Sequence, residues 1–317
     1  RNPGGRLGQV GDGQCRLDSR ALAAIEHFSA HPSGRVTGML APMQIDTVPA
    51  EMIQASHAYA TERGLPWQIH ASQSVWEFQE MMRRHGRTPI QWLAELGVLN
   101  RWTIIGHGIF LDHHSTSNYS TRRDLDLIAE SGASIAHCPT NFGRRGFLLE
   151  HFGAYLKAGV NIALGTDTYP HNMIEEIRHT AYFGRIAGRT VHAFSTADAF
   201  AAATVAGAKA LGRDDIGRLR VGAKADIVLV DLTCPMMRPA RDPLKSLIFS
   251  AADRAISTVF VDGVAVVEDG RVTTFDVARA ADELDAAQQR SIERTPSVDP
   301  RGRTADEMVP LTLPVRG

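Results

Sequence analysis

The stretch IALGTDTYPHN, residues 162–172, decides the reading of this chain: a short apolar run passes through a glycine and a threonine and then presents an aspartate, Asp167, to a polar loop. A buried strand has no structural need for a carboxylate at its tip, since an ionised group there loses hydration unless something pairs with it. The runs VTGML (36–40), WQIH (67–70), WTIIGH (102–107), ASIAHC (133–138) and VNIALGTD (160–167) predict five strands, each bounded by glycine, proline or polar residues. Helical patterns lie between them: 49–64, 74–86 with 88–97, 121–132 and 147–159, most of them closing on a glycine. Nearly all-apolar strands separated by helices predict a parallel sheet covered by helices, as either a βα barrel or an open doubly wound sheet.

Beyond residue 172 the pattern changes. MIEEIRHTAYFGRIAG (173–188) and STADAFAAATVAGAKALG (195–212) read as helices, and GRLRVGAKADIVLVDL (217–232) leads through a turn into an alternating strand. ISTVFVDGVAVVEDGRV (256–272) reads as a hairpin around Asp262 and Gly263, so a small β module follows the α/β part. A helix over 277–295 and a Pro- and Arg-rich tail close the chain. The expected division is 1–213 for the α/β part, 214–275 for the β module and 276–317 for the helix and tail.

Composition narrows the function classes. The 317 residues suffice for a core without staples, and 34 basic against 35 acidic residues give a net charge of −1. No basic field points to nucleic acid or to an acidic membrane surface, so the expected partner is a small molecule. Three scattered cysteines, Cys15, Cys138 and Cys234, argue against a disulfide framework and for a reducing, cytoplasmic setting. The apolar runs are too short to span a bilayer. DPLKSLIFSAA (242–252) could pack on a second copy or within the chain, so a homo-oligomer is an open expectation.

The chemistry gathers at the strand ends. His70, His107, His137 and Asp167 end the second to fifth predicted strands in turn. One such histidine is ordinarily a hydrogen-bonded structural residue, but four polar tips in register are the pattern of a βα barrel, whose active groups come from the C-terminal ends of several strands. Imidazoles with a carboxylate make a nitrogen and oxygen site suited to zinc or a similar divalent ion, and a carboxylate beside it can take a proton from water. His171, just past Asp167, is placed to line the pocket, as are Asn141, Arg144 and Arg145 of NFGRRG (141–146), for which a solvated basic loop is an equal reading.

IHASQS (69–74), IIGHGIFLD (104–112), IAHCPTNF (135–142) and LGTDTYPHNMIEEIR (164–178), followed by GRLRVGAKADIVLVDL, resemble in that order the amidohydrolase superfamily, in particular its chlorohydrolase and aminohydrolase branch acting on triazines, guanine and adenosine-type substrates. The resemblance runs from about 35 to 275 and implies a metal-dependent hydrolase on a (β/α)₈ TIM barrel with an appended composite β-sandwich. It implies that His70 is the metal ligand after the fifth barrel strand, that His107 contacts water or substrate at or beside the metal, and that Asp167 is both ligand and base. Zinc is the implied ion, with iron, cobalt or manganese as alternatives.

Two departures qualify that expectation. The family's His-x-His after its first strand occurs nowhere in this sequence, and the five predicted strands match the fourth to eighth of the barrel, so the chain reads as the C-terminal portion of a longer protein. Gln73 stands where ring-deaminating relatives usually carry a glutamate; an amide can hydrogen-bond but cannot shuttle a proton. The expected function is hydrolysis of a carbon–nitrogen bond other than a peptide bond, of deaminase or amide, carbamate or urea hydrolase type. A hydrolytic dechlorinase and a non-catalytic binding subunit are the alternatives.

Overall fold

The structure, a computed structural model, describes residues 17–313; Cys15 lies outside them. Two helices, α1 (Ser19–Ser29) and α2 (Ala50–Glu62), precede a four-stranded parallel sheet of β1 (Trp67–Ala71), β2 (Thr103–His107), β3 (Ser134–His137) and β4 (Asn161–Leu164), ordered β1-β2-β3-β4. Helices α3 (Val75–His85) and α4 (Pro89–Glu95) join β1 to β2, α5 (Asp124–Ser131) joins β2 to β3, and α6 (Pro139–Gly143) with α7 (Phe152–Lys157) join β3 to β4. This is an α/β fold of TIM-barrel-like design. Local chemistry sets the boundaries: Ser74 accepts the Glu77 N–H to start α3, Thr88 accepts the Gln91 N–H ahead of Pro89 in α4, and α3 and α5 end on left-handed Gly86 and Gly132.

The register divides the sheet into two faces. Ile69, Ile105, Ile135 and Ile162 form one row across all four strands and lie wholly within the main core, under the helices. The next row, His70, Gly106, Ala136 and Ala163, points the other way, and only its first member is large. A Cβ on Gly106 would meet the His70 ring at 3.6 Å, so the small residues keep space beside the histidine.

The first predicted strand, 36–40, is not one. Its chain runs beside β1 with only single bridges, Leu40 to Trp67 and Gln44 to His70, because Pro42 interrupts the ladder and no further strand flanks it among the described residues. A cavity of about 840 Å³ opens there, between α1 and residues 36–49, lined by Ile25, Phe28, Val36 and Met52 among others. The predicted helix over 147–159 also shortens: Glu150 is held by the Ser115 N–H and hydroxyl and Leu148 by His114, so α7 starts only after His151.

Helices α8 (Met173–Gly188), α9 (Thr196–Ala202) and α10 (Val205–Ala210) follow, the predicted 195–212 helix being split at Ala203–Thr204. A second, antiparallel sheet contains β5 (Ile227–Val230), β6 (Ile256–Val261), β7 (Val264–Glu268) and β8 (Arg271–Val272), with the β6–β7 turn at Asp262 and Gly263, both at positive φ. Between β5 and β6, α11 (Pro243–Ser246) runs into a π-helical turn, Leu247–Ala251, whose Leu247, Ile248 and Ala251 are buried; Arg178 of α8 donates to the Ile248 carbonyl at 2.6 Å. This stretch therefore packs within the chain. No residue of β5–β8 is buried, nor any of α12 (Val277–Val298) or α13 (Ala305–Met308).

Two buried acids sit in the sheet-to-helix connections. Glu77 accepts the Ser72 N–H at 2.5 Å and the Gln73 N–H at 3.2 Å, and burial pushes its carboxyl up to about 8. Asp124 accepts the Thr88 hydroxyl at 2.6 Å and the Asp112 N–H at 2.9 Å, and burial raises it to about 7. Both acids keep a proton in the folded state that the unfolded chain has lost above about pH 4.5, so folding stability falls as pH rises from there through about 7 to 8. E77Q removes one of the two titrations. The free-energy gap between wild type and E77Q in urea unfolding is therefore expected to shrink between pH 5 and pH 8; a gap constant over that range would mean that Glu77 is ionised throughout.

Candidate active site

Three side chains meet at the C-terminal edge of the parallel sheet. His70 Nδ1 lies 2.5 Å from the Met43 carbonyl, which fixes the tautomer and leaves Nε2 as the free donor atom. The His70 and His107 ring centroids are 5.5 Å apart, and His107 Nε2 is 3.6 Å from Asp167 Oδ2. His107 is buried, with its ring edge-on to Phe142 at 4.4 Å and its Nδ1 without a hydrogen-bond partner. Burial holds His107 down at about 4, partly opposed by the Asp167 charge, so at neutral pH the ring is an uncharged donor or acceptor.

The loops around them are tightly fixed. Ser72, two residues after His70, takes a φ of +55° while its carbonyl accepts the Ile109 and Phe110 N–H groups, both at 2.8 Å. The buried Glu77 carboxyl group described above holds the same loop, so the segment carrying Gln73 is tied to α3 at one side and to the His107 loop at the other. Gln73 is half-buried there. Glu77 is the group that sequence reading missed; its signal was a carboxylate one turn into a helix, opposite the loop amides.

Asp167 has a φ of +57° and accepts a hydrogen bond from Asn141 Nδ2. Asn141 Oδ1 in turn accepts from the Thr168 hydroxyl at 3.0 Å and lies 3.4 Å from Arg144 Nη2. The Arg144 guanidinium stacks over the exposed Tyr169 ring at 4.4 Å. His171 is exposed, its Nδ1 3.0 Å from the Thr166 hydroxyl in the same loop. Of these three only Asn141 touches Asp167, with Arg144 behind it and His171 tied to Thr166; Asn141 is only 1% exposed and spends both ends of its amide on protein groups.

His137 does not join them. It lies in the same register row as Leu164, on the helix-covered side, with its ring 6.1 Å from Phe152, and burial drives it down to about 3. Its ring packs against Phe152, and its Nδ1 has no hydrogen-bond partner among the described residues. Cys138 beside it is a buried free thiol with its pKa pushed well up by burial.

As a metal site the cluster is right in chemistry and short in number. Imidazole nitrogen and carboxylate oxygen suit a zinc-like ion, and the His70–carbonyl contact is the usual outer support of a ligating histidine. Among the described residues, however, no three histidine, cysteine, aspartate or glutamate side chains are arranged to hold a metal. Nor, among the described residues, is any helix long and apolar enough to cross a membrane.

Comparison with known proteins gives this geometry a context. The chain is 31% identical over 278 residues to a 5-methylthioadenosine/S-adenosylhomocysteine deaminase of Halobacterium salinarum, covering 86% of this chain and 62% of that protein. It is 29% identical to a 5'-deoxyadenosine deaminase of Methanosphaera stadtmanae, over 81% of this chain and 59% of that one. Among solved structures, a zinc-bound adenosine deaminase from Xanthomonas campestris superposes with a TM-score of 0.77 at 27% identity, over 87% of this chain and 61% of its own. Atrazine chlorohydrolase of Arthrobacter aurescens, complexed with zinc, shares the fold with a TM-score of 0.75 at 24% identity, over 84% of this chain and 58% of its own. The chain thus spans about three fifths of the length of these relatives. The model of the Amidohydrolase family matches residues 12–266, and on that match, together with strand tips that bring His70, His107 and Asp167 to one edge, the chain belongs to the amidohydrolase family.

Proposed function

We propose that this chain carries the base-bearing part of a metal-dependent hydrolase that removes the exocyclic amine from an adenosine-type nucleoside. The observation that carries the reading is the meeting of His70, His107 and Asp167 at the ends of parallel strands, with the Asp167 carboxylate 3.6 Å from a neutral imidazole. His70 and Asp167 would hold the ion, zinc by preference, with His107 beside it. When bound, the ion supplies Lewis acidity that makes water a nucleophile at neutral pH. Asp167 accepts the proton that water gives up and returns it to the departing nitrogen. The neutral His107 ring orients and polarises the substrate at its reacting carbon. Arg144, His171 and Gln73 rim the small-molecule pocket.

The fold reading that accompanies this function is a partial barrel. Residues up to 213 are assigned to the fourth to eighth positions of a (β/α)₈ barrel, with the bridged chain around 40–44 in the fourth place and β1–β4 as the fifth to eighth strands, 214–275 to a composite β-sandwich and 276 onward to a C-terminal helix and tail. Three observations support it: the single-bridge chain beside β1, the cavity at that edge, and a second sheet without one buried residue. A sheet with no fully buried residue lacks part of the covering layer it needs. Two protein ligands also fall short of the three typical of catalytic zinc, so a complete site needs at least one further donor.

A second reading rests on Gln73. A group that cannot titrate suits a leaving group that needs no proton, and chloride on a ring carbon is one. Paired 6-amino and 6-chloro purine nucleosides separate the two readings. Q73E is expected not to raise turnover of the chlorinated substrate, while a tenfold rise on the aminated one would mark Gln73 as a lost proton shuttle.

The decisive variant is D167N in the protein expressed from its complete gene. The amide can approach an ion but cannot take a proton, so turnover should fall by roughly 10²- to 10⁴-fold. Near-normal turnover in a metal-loaded D167N protein would remove Asp167 from the chemistry. H70A should lower zinc affinity in a chelator competition, and an unchanged affinity would reject His70 as a ligand.

A further inference from the structure

The amide of Asn141 is oriented by its neighbours. One end faces a carboxylate, Asp167 Oδ2; the other faces two donors, the Thr168 hydroxyl at 3.0 Å and Arg144 Nη2 at 3.4 Å. A flipped amide would set its oxygen against the carboxylate and its NH₂ against the guanidinium, losing the bonds at both ends, so the assignment follows from chemistry. The backbone of Asn141 is equally fixed. The preceding Thr140 N–H donates to Glu176 of α8 at 3.1 Å, and a Cβ on Gly143 would come within 2.5 Å of the Phe183 ring, so α6 is seated directly on α8.

Asp167 therefore has two unequal oxygens. Oδ2 is occupied by the Asn141 NH₂ and has His107 Nε2 at 3.6 Å; Oδ1 accepts no protein hydrogen bond among the described residues. We propose that Asn141 is a positioning residue, not a substrate contact: it grips Oδ2 and so fixes the orientation of the Asp167 carboxylate in which it would serve as ligand and base, and it is itself kept in orientation by Thr168. This rests on the reading of Asp167 as ligand and base given above. The chain of donation runs from Thr168 to Asn141 to Asp167, so removing the first hydroxyl should be felt at the last carboxylate although Thr168 never touches it.

The test uses the protein expressed from its complete gene, with zinc affinity measured by competition with a chromogenic chelator, and kcat and KM measured on a 6-aminopurine nucleoside. N141A should weaken zinc binding roughly 10- to 100-fold, as loss of a ligand's hydrogen-bonding support does, and should lower kcat with little change in KM. T168V should move both quantities the same way by a smaller factor, and T168S, which keeps the hydroxyl, should restore them to within about threefold. Thermal unfolding separates this from a purely structural role, which would lower the melting temperature of N141A and T168V without a selective loss of zinc. If N141A does not fold, the T168V and T168S pair still decides. Wild-type zinc affinity in N141A, or equal behaviour of T168V and T168S, overturns the proposal. Wild-type protein that neither binds zinc nor turns over the nucleoside overturns the reading of Asp167 and the proposal with it.

Discussion

The parallel hydrogen-bond ladder of β1–β4 is the constraint on which everything else depends. Parallel strands deliver all their C-terminal ends to one edge, so His107 comes to lie beside both His70 and Asp167, residues separated by nearly a hundred positions, without any long-range instruction in the sequence. The register then does the finer work. It places a row of isoleucines under the helices and, one residue on, a row of glycine and alanines beside His70. A slip of one residue would exchange those rows, filling the site with isoleucine and exposing small residues to the core.

Much of this was legible in the linear sequence. Four of the five apolar runs are strands, because dense β-branched runs bounded by glycine are a local signal that tertiary context reinforced. The fifth failed at 36–40, where the pattern was right but Pro42 and the lack of an outer neighbour left single bridges instead of a ladder. His70, His107 and Asp167 stand out in the sequence because each lies at or just past the end of an apolar run, and the structure places them at or beyond the ends of β1, β2 and β4. His137 is picked out by the same rule, and only the folded structure shows its ring set against Phe152. Glu77 left a local signal that was passed over, an acid in the first turn of a helix, whereas the double engagement of Asn141 depends on where a loop returns in space and not on spacing along the chain.

The energetics divide the molecule unevenly. From β1 to α10 the chain has one continuous apolar core with large buried residues such as Trp67, Tyr155 and Phe110. Beyond it, the antiparallel sheet and α12 keep Val228, Leu229, Val264, Leu284 and Ile292 substantially exposed. A helix of 22 residues that buries nothing has little beyond its own backbone bonds and its cap at Asp276 to hold it. The second sheet and α12 are therefore the parts of the chain whose order depends most on added surface, and they would open first under native conditions.

Ser72 and Asp167 share an unusual trait: each stands just past a strand tip with its backbone in the left-handed region, at φ +55° and +57°. Glycine, asparagine and aspartate enter that region cheaply, whereas β-branched and bulky side chains do not. This turns the two positions into filters on mutational search. In a library randomised around the pocket, variation at 72 should collapse onto a few small or amide-bearing residues, while Gln73, one step along, carries no positive φ and stays open to diverse side chains. The backbone thus leaves Gln73, and not Ser72, as the position in this loop where side chains of many kinds are tolerated.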